Sequence, residues 1–177
     1  MSNSDFGNGY DVSESYESFV EDLKKAGFKY LSEGSFRTAY QRGEVVIKVP
    51  VTSDGILDNM VEAKAWKTYG KQPTSMGVHL APCRLLPNGC LMMVFVRKWN
   101  LLNKPGWAHL VDGQQVGTYK GRAVAYDYAL DLTERFMWEK EWKKFSTFFN
   151  SEEWAKRRPH IQSYLRTTKK KSSRKVA

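Results

Sequence analysis

Residues 28–49 constrain the fold more than any other stretch. They hold three short β-rich runs, FKYL, TAYQ and VVIKV, separated by Glu33-Gly34-Ser35 and Arg42-Gly43-Glu44. Short β-rich runs punctuated by glycine-bearing turns read as successive strands. The third run carries Lys48 between Ile47 and Val49. A strand there would half bury an ammonium, which needs a partner or a route to water.

The flanking segments change period. In 13–26, Tyr16, Phe19, Val20 and Leu23 recur at helical spacing, and Gly27 is placed to stop the helix. In 57–69, Met60, Val61, Ala65 and Trp66 form the apolar side of a second helix, with Asp54 as the nearest cap. Residues 79–97 read as a hairpin, HLAPCRLL and CLMMVFV around Pro87-Asn88-Gly89. Residues 98–106 read as a linker, and 107–128 alternate again with a turn near Tyr119-Lys120-Gly121. From Asp127 to about Asn150 a helix is expected, its stripe formed by Trp138, Trp142, Phe145 and Phe149, then a short helix from Ser151 broken at Pro159. Runs of strands with segregated helices make the fold class α+β with an antiparallel sheet.

Composition narrows the function classes. Mean hydropathy is −0.56, and no apolar run approaches the ~20 residues that span a bilayer. The polar, acidic start is not a secretory signal, and two cysteines, Cys83 and Cys90, make no disulfide scaffold. A cytoplasmic protein without a membrane contact is expected. Residues 151–177 hold nine Lys/Arg against Glu152 and Glu153, and the tail at 167–177 reads as disordered and able to make weak nucleic-acid contact. Residues 1–12 also read as disordered. His79, His109 and His160 lack metal spacing, and neither Gly-Lys-Ser/Thr nor Gly-x-Ser-x-Gly occurs.

What remains is a phosphate-type constellation in chain order: Gly34-Ser35-Phe36, Lys48, Glu62 and Asp127. A tight glycine turn brings amides near a phosphate, a lysine neutralises it, a glutamate orients the lysine and an aspartate holds a metal. Each residue alone has an ordinary reading. Lys48 could snorkel at a sheet edge, Glu62 could lie on a solvated helix face, and Asp127 could cap a helix.

In that order, Leu31 through Tyr40 resembles the Gly-rich loop of protein kinases, with only the middle glycine, Gly34, kept; Ser32 and Arg37 stand at the other two positions. Val46-Ile47-Lys48 resembles the strand of their phosphate-binding lysine, and Glu62 its partner glutamate. Residues 81–96 resemble the hairpin leading to the adenine-contacting hinge, and 124–129 the strand ending in the metal-binding aspartate motif. The style is similar to the reduced serine/threonine kinase-like proteins of tailed bacteriophages. The resemblance covers about residues 26–129.

It implies a kinase-like N-terminal lobe at 13–97, an antiparallel five-stranded sheet plus one helix, and a strongly reduced helical part at 98–166. It implies ATP and Mg2+, with Ser32, Gly34, Ser35, Phe36, Lys48, Glu62, Phe95 and Val96 around the nucleotide and Asp127 and Gln115 on the metal. The catalytic loop aligns in two ways. Anchored on Gly117, Gln115 takes the asparagine position and Leu110 the base position, so the base is missing. Read as a stretched His-Arg-Asp, His109 to Asp112 makes Asp112 the base beside Lys48 as catalytic residues. Weak or absent phosphoryl transfer to a Ser/Thr acceptor is therefore expected. The alternative is an inactive pseudokinase in the host cytoplasm, binding a host or viral protein or nucleic acid.

Overall fold

The computed structural model describes residues 11–74, 77–98, 104–111 and 115–129. The expected helices beyond Asp127, the basic tail and Asp112 lie outside the described residues, as do residues 1–10. Residues 11 and 12 are structured, unlike the reading that placed them in a tail. Val12 is buried, its amide donates to the Val51 carbonyl at 3.0 Å, and Asp11 bridges Thr52.

A short 3-10 helix, Ser13–Tyr16, runs into α1, Glu17–Lys25. Tyr16 and Leu23 are buried and Phe19 and Val20 partly so, the face expected from their spacing. Gly27, at φ +87°, ends the element in the left-handed conformation that side chains disfavour.

Three strands follow: β1 Lys29–Glu33, β2 Arg37–Arg42 and β3 Val45–Pro50. Then comes α2, Ser53–Tyr69, and the hairpin of β4 Cys83–Leu85 and β5 Leu91–Val94. They form one five-stranded sheet in the order β1-β2-β3-β5-β4, every neighbouring pair antiparallel. β3 is its central strand, so Lys48 cannot lie at a sheet edge.

The helix begins four residues before the expected start, and its cap is Thr52, not Asp54. Thr52 is extended, and its Oγ1 accepts from the Gly55 amide at 3.3 Å. Gly55 ordinarily weakens a helix, which hid this first turn in the sequence. Here a Cβ on it would stand 2.2 Å from the Phe36 carbonyl oxygen, so glycine is what lets the helix start against the loop.

Part of the expected linker is a strand. β6, Arg97–Lys98, pairs with β7, Val116–Tyr119, which pairs with β8, Arg122–Ala125, in a second, three-stranded sheet. A 3-10 helix, Gly106–Leu110, lies between β6 and β7. A parallel bridge from Leu80 to Ala125, with Ala81 N donating to Ala125 O at 2.8 Å, ties this sheet to the segment before β4.

Two apolar clusters result. One, with Val12, Tyr16, Ile47, Val49, Ile56 and Met60, joins the first helices to β3. The other, with Ala65, Leu80, Leu91, Met93, Val124 and Tyr128, packs α2 and the hairpin on the second sheet. The second cluster carries the chain after β8 back to α2 and so delivers Asp127 to Lys48. No helix among the described residues is long and apolar enough to cross a membrane.

Candidate functional site

Side chains alternate across β3, so Val46 and Lys48 face a cavity while Ile47 and Val49 face the first apolar cluster. Lys48 is 7% exposed. Its Nζ donates to both Glu62 oxygens, at 3.1 and 2.9 Å, and to the Tyr126 carbonyl at 2.8 Å. Three contacts use the three hydrogens of an ammonium. Glu62 is 0% exposed, which removes the solvated-face reading. Asp127 Oδ1 lies 3.7 Å from the same Nζ. The ammonium of β3, the carboxylate of α2 and the carboxylate after β8 therefore converge.

A second cation completes the cluster. Arg37, at the start of β2, was legible in the sequence only as a missing glycine. Its Nη1 donates to Glu62 Oε1 at 2.9 Å and to Asn59 Oδ1 at 3.2 Å, and its Nη2 to Asp127 Oδ1 at 2.5 Å. Its Nε stands 3.9 Å from Asp58 Oδ2. Asp58, Asn59 and Glu62, at i, i+1 and i+4 of α2, present one polar face to it. That spacing was a usable signal in the sequence and was missed.

Charge placement sets the titration of the cluster. Burial alone would weaken the Arg37 charge, but Glu62, Asp127 and Asp58 outweigh it and hold the guanidinium protonated. Burial would also raise Asp127, yet Lys48 and Arg37 outweigh it and bring the carboxyl down to about 2. Asp58 goes the other way. Burial pushes it up to about 6, with Arg37 only partly opposing.

The folded protein therefore keeps a proton on Asp58 between about pH 4 and 6, where the unfolded chain has lost it. Asp58's contribution to stability falls as pH rises through that window, by on the order of 2 kcal/mol. Asp127 contributes stability above pH 4 that is lost as pH falls toward 2. Melting temperature measured from pH 4 to 7 should show the Asp58 slope, and Asp58→Asn should flatten it. An equal slope in both proteins would refute the assignment.

The cavity holds about 610 Å3. Ser32, Gly34, Ser35, Phe36, Lys48, Phe95, Val96, Gln115 and Asp127 all lie on its wall, together with Arg37 and Asp58. Glu62 sits behind Lys48. The 33–36 loop is closed by a bond from the Gly34 amide to the Arg37 carbonyl at 2.9 Å, and the residue after β3 is tied to it, Val51 N donating to Phe36 O at 2.9 Å. The Phe95 amide donates to the Glu44 carbonyl at 2.8 Å, fixing the chain as it leaves β5. Leu110 ends the 3-10 helix and packs against the apolar cluster, where it offers no base. His109 Nδ1 is 2.6 Å from the Gly106 carbonyl, a contact within its own turn.

Magnesium requires near-octahedral oxygen ligands at about 2.0–2.1 Å. Asp127 Oδ1 already faces Arg37 and Lys48, and Gln115 supplies a neutral group at best. No cluster of three His, Cys, Asp or Glu suited to a metal occurs among the described residues. As arranged, Asp127 and Gln115 do not fit the ion. Thiol chemistry is also disfavoured, because burial pushes Cys83 up to about 12 and raises Cys90 as well.

No family model, curated protein or solved structure matches this chain.

Proposed function

We propose that the chain is a degenerate protein-kinase-like protein that binds a nucleotide, ATP, beneath the 32–36 loop, with weak or absent phosphoryl transfer to a Ser/Thr acceptor. The observation that carries this reading is the meeting of Lys48, Glu62 and Asp127 around one ammonium on the wall of a 610 Å3 cavity. The strand order β1-β2-β3-β5-β4, with α2 between β3 and β4, supports it. Lys48 and Glu62 form the pair that orients a phosphate-binding lysine. Magnesium at Asp127 and Gln115 belongs to this proposal only with Arg37 drawn off Asp127.

The Arg37–Asp127 pair favours a second reading: an inactive pseudokinase kept as a binding module for a protein or nucleic-acid partner. A ligand group that must displace a charge-assisted bond gains little from the exchange.

Calorimetric titration of the full chain with ATP tests nucleotide binding. Saturable binding is expected, and Ala39→Phe, which adds bulk to the cavity wall beside Lys48, its cross-strand neighbour, should weaken it at least about tenfold with the protein still folded. Binding unchanged in Ala39→Phe would place the nucleotide elsewhere. Incubation with γ-labelled ATP separates the two readings. Label incorporated stoichiometrically, and lost in Asp127→Ala, would contradict the pseudokinase.

A further inference from the structure

The polar end of the cavity is closed on itself. Lys48 uses its three hydrogens on Glu62 and the Tyr126 carbonyl. Arg37 directs its fork at Asn59, Glu62 and Asp127, with its Nε toward Asp58. The Gly34 amide, the loop donor best placed by the sequence to approach a phosphate, is taken by the Arg37 carbonyl. Two cations face three carboxylates, and Lys98 and Glu33 add one charge of each sign to the rest of the wall. A phosphate entering here breaks one charge-assisted bond for each one it makes, beside carboxylates that repel it.

The rest of the cavity wall is different. Leu31, Ala39, Val46, Met93, Phe95 and Val96 give it apolar side chains, beginning at Ala39, the cross-strand neighbour of Lys48. A flat, uncharged ring system removes that surface from water at no electrostatic cost.

We infer that the cavity selects the nucleoside part of its ligand, that phosphate groups add little to affinity, and that Arg37 is the residue that sets this by occupying the charges a phosphate or metal would use. The inference rests on the nucleotide-binding reading and widens its ligand class from ATP to nucleosides and nucleotides alike. Arg37 thus acts as a specificity-determining residue. Removing its partner should restore discrimination. Asp127→Asn takes away one carboxylate and leaves part of the guanidinium fork without an ionic acceptor, so it should improve ATP binding. A metal-holding aspartate would give the opposite result.

The test is calorimetric titration of the full chain with adenosine, AMP and ATP, each with EDTA and with magnesium. In the wild type, adenosine and ATP should agree within about threefold, and magnesium should shift neither by more than about twofold. In Asp127→Asn, ATP should tighten about tenfold relative to adenosine. Arg37→Lys, which keeps the charge without the fork, should raise the same ratio, and circular dichroism checks that both variants fold.

ATP binding more than about tenfold tighter than adenosine in the wild type, with that preference erased by Asp127→Asn, would overturn the inference and leave the nucleotide reading intact. Absence of saturable binding by all three ligands would overturn both.

Discussion

Glu62→Ala should cost about 3–5 kcal/mol of folding stability, because it strands two buried cations at once. Glu62 is fully buried, with Arg37 Nη1 at 2.9 Å and Lys48 Nζ at 2.9 and 3.1 Å. Without it, Lys48 keeps only the Tyr126 carbonyl and the more distant Asp127. An unpaired buried ammonium either loses its proton or draws water into the core, and both are costly.

Lys48→Met supplies the comparison. Methionine fills similar space, and Glu62 keeps Arg37 as an ionic partner. Lys48→Met should therefore cost about half as much as Glu62→Ala. Urea unfolding of the two variants measures the difference. Equal costs would mean that Arg37 contributes nothing to holding Glu62, and the two-cation description of the site would fail.

The parts of this arrangement that could be read in the sequence are those fixed by local periodicity. Strand alternation put Lys48 on a single face; Glu62 was marked only by its place after Lys48 in the ordered set, because helical spacing left it off the Met60 side of α2 and open to a solvated face. Asn88-Gly89 marked the turn that returns β5 to β3. Arg37 was hidden for a different reason. Its partners Asn59, Glu62 and Asp127 lie 22, 25 and 90 residues away in the chain, and no local pattern reports such distances.

Measured against a glycine motif, Arg37 was only a mismatch. A count of buried charge would have found it, since Asp58, Glu62 and Asp127 exceed what Lys48 alone can neutralise. β6 escaped for a similar reason. Two residues carry no period, and Arg97 and Lys98 become a strand because β7 lies beside them. The α2 start was obscured by Gly55, whose lack of a side chain serves the contact with Phe36 at the expense of helix propensity.

Asn59→Leu is the second large effect, expected at about 2–4 kcal/mol, and it tests what positions the cluster. Asn59 is completely buried. Its Nδ2 donates to the Lys48 carbonyl at 3.2 Å and the Gly89 carbonyl at 2.9 Å, while its Oδ1 accepts from Arg37 at 3.2 Å. One amide thus ties β3 to the β4–β5 turn and steadies the guanidinium. Leucine has nearly the same volume, so little cavity forms, but two buried carbonyls and one Arg37 hydrogen lose their partners.

Asn59→Asp separates the two roles. A carboxylate can still accept from Arg37 but cannot donate to either carbonyl. If the bonds to Lys48 and Gly89 dominate, Asn59→Asp at pH 7 should be at least as destabilising as Asn59→Leu in urea unfolding. If the bond to Arg37 dominates, aspartate should recover most of the loss. The geometry favours the first outcome. Arg37 has three other acidic partners, whereas Asn59 is the side chain that bonds the Lys48 and Gly89 carbonyls together.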